Sequence, residues 1–263
     1  MSSPSPIQGV WSIVTGASSG IGQDLARELA ARGANVILAA RRLDPLRRLA
    51  QELSERHSVQ AEAIEADLLR DEDRRRLFDL ATADGRSIGV LVNNAGFGLY
   101  GEFRERSWEE IERLIDLDIK ALTPLTHLFA APMIERRSGY FLHLGSIGSF
   151  QASPRYAAYS AAKAYVLSFS EAIHFEMRPH GVSSTALCPG VTRSEFLQVA
   201  GQSPNWFQKA TIMASADVAR AGVNAMLKRK ALIVPGLSNK IAIFGNRLLP
   251  RSWVVRTAAN LMK

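Results

Sequence analysis

Thr15-Gly16-Ala17-Ser18-Ser19-Gly20-Ile21-Gly22 is the stretch from which the fold can be read. Before it stands a short apolar run, residues 10–15 (VWSIVT), and after it a helical pattern through Leu25, Leu29 and Ala30 that stops at Gly33. Strand, glycine turn and helix in that order form a cradle for a dinucleotide pyrophosphate. Glycine accepts the unusual backbone angles and lets the main chain approach the phosphates, and the helix N-terminus favours their charge. Gly16, Ser18, Ser19, Gly20, Ile21 and Gly22 are the candidate contacts. A glycine pattern alone is a weak signal; the flanking strand and helix give it weight over an ordinary tight turn.

Outward from the turn, apolar runs and amphipathic stretches alternate. Strands are expected at 35–39 (NVILA), 60–65, 88–94, 140–145, 182–188 and 231–235, and helices at 43–57, from Asp71, from Trp108 to about Arg137, and at 156–178. Near-continuous apolar strands separated by helices imply an α/β fold, a doubly wound parallel sheet covered on both faces. The expected organisation is one domain over residues 1–238, with a substrate loop at about 190–216, followed by a basic amphipathic extension at 239–263.

The end of the second strand distinguishes NAD from NADP, because an acid there accepts from a ribose 2′-hydroxyl whereas a cation pairs with a 2′-phosphate. The chain has Ala39-Ala40-Arg41-Arg42 and no acid. A guanidinium fork suits a phosphate dianion, so the expected cofactor is NADP(H), with Arg41 the first partner and Arg42 the second. The bland alternative is two solvated arginines ahead of a helix. Asp67, ending the third strand, is a candidate acceptor for the adenine amino group or a helix N-cap.

Tyr159-Ser160-Ala161-Ala162-Lys163 puts a phenol and an ammonium on one helix face, one turn apart. A free phenol is a poor proton donor at neutral pH, and a neighbouring cation stabilises its phenolate. Ser146 follows the run YFLHLG, at the carboxyl end of a strand, where ligands bind in such sheets. Gly145 before it leaves room for cofactor or substrate, or is a simple bend.

With these residues together, the chain resembles the short-chain dehydrogenase/reductase family, with its Rossmann fold, over residues 10 to about 235. The resemblance rests on TGASSGIG at 15–22, Asp67, Asn93-Asn94-Ala95-Gly96, Ser146 thirteen positions before Tyr159, the Tyr-x-x-x-Lys pair and Pro189-Gly190. It implies hydride exchange between NADP(H) and a ketone, aldehyde or alcohol. Tyr159 would be the acid/base, Lys163 would lower its pKa and hold the nicotinamide ribose, and Ser146 would polarise the carbonyl. Asn94, with Ala95 and Gly96, would lie against the cofactor, and Pro189-Gly190 would pass the nicotinamide. One position departs from the pattern: where the family usually carries a catalytic asparagine, this chain has Asp118. Aspartate could hold the relay water, but its charge would raise the Tyr159 pKa; alternatively, it is only a helix residue. A cofactor-binding regulatory or scaffold protein with little turnover is the second reading.

Other residues have plainer readings. Tyr156 lacks a lysine four positions on and shapes the pocket; His143 and His174 have no second ligand at metal spacing, and no metal is expected. Cys188, the single cysteine, reads as a small buried hydrophobe. Phe196, Leu197, Trp206, Phe207 and Met213 make the 190–216 segment the expected lid, with Phe97, Leu99 and Tyr100 as the opposite wall, favouring an apolar substrate.

The net charge of +7 is concentrated at the end of the chain. Beyond Asp217, the last acid, stand nine basic residues, and the remainder carries −2. No nucleic-acid module accompanies them, so no nucleic-acid partner is expected. Residues 239–263 mix apolar and basic side chains, which implies peripheral contact with an anionic membrane; a subunit interface or a flap over the pocket are equal alternatives. Pro250 breaks any single long helix there. A cytoplasmic chain, membrane-associated through that tail and assembling as a dimer or tetramer, is the remaining expectation.

Overall fold

The computed structural model describes residues 5–203 and 211–261. Seven strands form one parallel sheet: β1 (Trp11–Thr15), β2 (Asn35–Ala40), β3 (Ala61–Glu65), β4 (Ile88–Asn93), β5 (Gly139–Leu144), β6 (Val182–Leu187) and β7 (Leu232–Ile233). Their order, β3-β2-β1-β4-β5-β6-β7, reverses direction between β1 and β4. The reversal opens a crevice at the carboxyl ends of those two strands, the place where doubly wound sheets bind ligands.

The strands alternate which side chains they give to each face. Val14, Val36, Leu38 and Val92 join one apolar cluster with Leu25 and Leu29 of α1 (Gly20–Ala30), Leu46 of α2 (Leu43–His57) and Val223 of α8 (Ser215–Leu227). Ile13, Ile37 and Leu91 join the opposite cluster with Leu77 of α3 (Asp71–Thr82) and Phe129 of α5 (Leu122–Glu135). Period-two alternation with apolar residues on both faces is why the strands read as continuous apolar runs.

The expected helix from Trp108 to about Arg137 has three parts. After α4 (Trp108–Ile115), which opens on a Ser107/Glu110 capping box, residues Asp116–Ala121 widen into a π-helical turn before α5 begins. Such turns re-aim side chains within a helix, and this one contains Asp118. Tyr159 and Lys163 stand on α6 (Ala157–Met177). At the end of the chain, α9 (Leu237–Leu248) and α10 (Arg251–Leu261) are separated at Pro250. α9 runs across the 238/239 junction, so the extension begins within a helix.

Candidate active site

The glycine turn is held from behind by side chains of β1 and the loop after β4. Thr15 Oγ1 accepts from the backbone N–H of Asn94 (3.0 Å) and of Ala95 (3.1 Å), and donates to the Val92 carbonyl. Asn94 Nδ2 donates to the Thr15 carbonyl (2.9 Å) and the Gly16 carbonyl (3.2 Å). Asn94 therefore clamps the turn as well as lining the pocket. A Cβ on Gly16 would fall 2.8 Å from Asn94 Nδ2, and one on Gly22 would fall 2.4 Å from the Gly16 carbonyl. The glycines are required by this close approach, and Gly16 and Gly20 also have positive φ. Ser19 opens α1 without a side-chain cap bond, and no acid stands in the first turn. A cradle kept clear of side chains before an uncapped helix N-terminus fits a dinucleotide pyrophosphate.

Just past β2, Arg42 is the guanidinium at the turn, 3.3 Å from Ser18 Oγ; Arg41 is exposed beside it. Arg42 also pairs with Glu195 at 3.1 Å. The Arg42 hydrogen bond, with one from Ser19, holds the Glu195 carboxyl below the usual carboxylate range. The sequence reading missed Glu195, since nothing local in the loop points across to β2. Asp67 Oδ1 accepts from Leu69 N–H in a tight turn, and the N-cap of α3 is Arg70.

The proton end gathers groups from four elements. Ser146, after β5, accepts from Gly148 N–H (3.0 Å) and lines the same cleft as Tyr159. Lys163 is 4% exposed, with Nζ 5.7 Å from the centre of the Tyr159 ring. That ammonium donates to the Leu144 carbonyl (3.0 Å) and lies 3.0 Å from Asp118 Oδ2. Asp118 is 1% exposed, so it is more than a surface helix residue. Burial pushes its carboxyl above the usual range, with the Lys163 charge and the Phe97 N–H pulling against this.

The expected lowering of the Tyr159 pKa is not what the protein groups produce. Burial raises it well above an ordinary phenol; the Ser146 hydrogen bond opposes the rise and the Asp118 charge adds to it. The main reason is burial of the phenol, and Lys163, the cation expected to oppose it, is in direct contact with the Asp118 carboxyl. Gly96 makes the contact sterically feasible, since a Cβ there would lie 2.6 Å from Asp118 Oδ1 and 3.2 Å from Lys163 Nζ. Gly145 likewise leaves room for a protein atom: its missing Cβ would meet Cys188 Sγ at 2.6 Å. Cys188 itself is fully buried.

Ser146, Tyr159 and Lys163 line one cleft of about 950 Å³ with Ile21, Asn94, Gly96, Pro189 and Gly190 at the cofactor side. Phe97, Ile147, Val191, Phe196 and Leu197 make the substrate side apolar. Leu99 and Tyr100 stand outside the lining; Tyr100 packs behind Tyr156, and Tyr156, which lines the cleft, donates to Gln202 Oε1 (2.6 Å). In the segment expected as a lid, Met213 N–H donates to the Val191 carbonyl and its carbonyl accepts from Arg193. Its short helix α7 (Phe196–Val199) sets Phe196 on the Tyr159 ring at 5.4 Å. Trp206 and Phe207 lie outside the described residues. His143 is buried against Asn93 and the Phe141 ring, and burial pushes its pKa down to about 3; His174 meets the Ser184 carbonyl. Among the described residues no three His, Cys, Asp or Glu are grouped to hold a metal. A residue the sequence gave no reason to single out, Asn239 of α9, backs Gly190: a Cβ on that glycine would fall 2.6 Å from the amide.

A family model described as short chain dehydrogenase matches residues 11–205. The chain belongs to the short-chain dehydrogenase family. Among its relatives is the very-long-chain 3-oxoacyl-CoA reductase of Anas platyrhynchos, 33% identical over 212 residues, which are 78% of this chain and 66% of that protein. Another is the inactive hydroxysteroid dehydrogenase-like protein 1 of Homo sapiens, 33% identical over 183 residues, covering 69% of this chain and 55% of that one. This dehydrogenase chain thus spans less than two thirds of the length of either relative. A solved short-chain dehydrogenase from Sphingobium yanoikuyae, in complex with NADPH, is 33% identical with a TM-score of 0.81, covering 91% of this chain and 94% of that one.

Proposed function

We propose that this short-chain dehydrogenase is an NADP(H)-dependent carbonyl reductase or alcohol dehydrogenase, with Tyr159 as general acid/base. The observation that carries the reading is that Ser146, Tyr159 and Lys163 line one apolar cleft, which reaches Ile21 of the glycine turn. NADP(H) supplies the hydride chemistry when bound. Ser146 holds the substrate oxygen, and the Tyr159 hydroxyl gives that oxygen a proton in reduction or takes it in oxidation. Its raised pKa keeps the phenol protonated at neutral pH, which suits reduction. Lys163, which lines the cleft, would hold the nicotinamide ribose, with Asp118 fixing its position. Gly16, Ser18, Ser19, Gly20, Ile21 and Gly22 receive the pyrophosphate, and Arg42, with Arg41 beside it, receives the 2′-phosphate; the NADPH-bound relative agrees with that choice. Asp67, Ala95 and Gly96 would meet the bound cofactor, and Pro189-Gly190 would bound its nicotinamide end.

The substrate is a small carbonyl compound or alcohol with an apolar body, given Phe97, Ile147, Phe196 and Leu197 around the reacting end. Consumption of NADPH and NADH with a panel of aliphatic, aromatic and steroidal ketones tests the reading. Turnover with NADPH at least ten times that with NADH is expected, and no turnover with any ketone or alcohol would overturn it. The Asp118–Lys163 pair favours a second reading, a cofactor-binding protein with little turnover. Tight NADPH binding without consumption of either cofactor would select it.

A further inference from the structure

Twelve large apolar side chains are exposed among the described residues, and half of them fall between Leu237 and Trp253. On α9 the spacing is regular: Leu237 (74% exposed), Ile241 (63%), Phe244 (62%) and Leu248 (71%). Steps of four, three and four residues put them along one helix face. The other face is what holds α9 to the body. It buries Asn239, packs Ile243 beside Val234 and Cys188, and gives Asn246 a hydrogen bond to Gln151. Leu249 and Trp253 continue the apolar surface onto α10. Lys240, Arg247, Arg251 and Arg256 are exposed around it, and no acid occurs after Asp217.

We infer that this face docks on an anionic lipid bilayer. An apolar ridge beside several cations, with a tryptophan at its edge, matches the acyl boundary below and the phosphate and carboxylate headgroups around it. No helix among the described residues is long and apolar enough to cross a membrane, so the contact lies in the plane of the interface. A second copy is a poorer occupant, because a two-fold through this face would bring the same cations together. The opposite face of α9 borders the cleft: Gln151 and Gly190, which it touches through Asn246 and Asn239, both line it. Resting on the proposed carbonyl chemistry, docking through α9 holds the cleft one helix away from the bilayer in which an apolar substrate collects.

The test is co-sedimentation of the full chain with vesicles of phosphatidylcholine alone and of phosphatidylcholine mixed with phosphatidylserine, at low and high salt. Binding at least about tenfold tighter to the anionic vesicles, weakened by salt, is expected. Ile241→Asp with Phe244→Asp should reduce it at least about tenfold while leaving NADPH affinity and turnover of a water-soluble ketone unchanged. Lys240→Glu with Arg247→Glu should remove the preference for the anionic vesicles. Equal binding by wild type and the Ile241/Phe244 variant would overturn the proposal. So would a dimer seen by analytical ultracentrifugation that those two substitutions dissociate, without vesicle binding by the wild type. Vesicle binding without ketone turnover would leave the docking intact and refute only the proposed chemistry.

Discussion

The two ends of the cleft are built on different length scales. At the glycine turn, each constraint is a backbone contact between β1 and the loop after β4, fixed by small residues and two side chains, Thr15 and Asn94. At the proton end the decisive contact joins a π-helical turn to α6, forty-five positions apart in the chain, and both partners are charged and buried. The turn works by packing backbone and Asn94 so closely that only glycine fits. The proton end works by placing opposite charges, so its behaviour depends on what else shares the field around Tyr159.

The largest effects should come from forcing a methyl into the close contact at each end. Gly22→Ala puts a methyl 2.4 Å from the Gly16 carbonyl and should weaken NADPH binding by about a hundredfold, seen by fluorescence titration. Gly96→Ala strikes the Asp118–Lys163 pair and should instead lower turnover by about a hundredfold, with a smaller change in cofactor affinity. If both variants lose cofactor affinity alike, the two ends are not separable.

A smaller, more specific change should follow Asp118→Asn. Removing the carboxylate charge leaves the Lys163 ammonium free to favour the phenolate, so the Tyr159 pKa falls. Reduction needs the protonated phenol, and its rate declines as pH rises through that pKa. The declining limb should therefore move to lower pH by about one unit. Thermal unfolding of the same variant checks that the buried lysine is still accommodated. A limb that stays in place would break the electrostatic side of the comparison.

Smaller still are the effects at the rim. Arg42→Ala should raise the KM for NADPH about tenfold with little change for NADH. Glu195→Gln should lower the KM for NADPH by about twofold to fivefold, since an exposed carboxylate no longer competes for the same guanidinium. Unchanged NADPH kinetics in both would remove Arg42 as the 2′-phosphate partner.

The difference in length scale also explains what the chain disclosed before its structure was known. The strand–turn–helix order, the strand boundaries and the Tyr159–Lys163 spacing are local patterns, and they were legible to within a residue or two. Asp118 was legible as an odd residue, but its burial against Lys163 was not, because a π-helical turn has no local signature in DLDIKA. Glu195 and Asn239 act across loops distant in sequence, and Gly145 faces Cys188, just past the adjoining strand β6, rather than a ligand. In each case the missing information was a contact between elements. The apolar stripe of α9 was visible as composition, and only its packing shows which face is left uncovered.

The claim underlying all of this is that Tyr159 moves the proton in a hydride exchange carried out in this cleft. It is tested most directly by single-turnover transfer of deuterium from 4-deuterated NADPH to a ketone, with NADPH affinity measured on the same samples of wild type and Tyr159→Phe. Wild type should place the deuterium on the alcohol carbon, and the variant should bind NADPH equally well while transferring at least about a hundredfold more slowly. Transfer at equal rates in the two proteins would contradict the assignment of Tyr159.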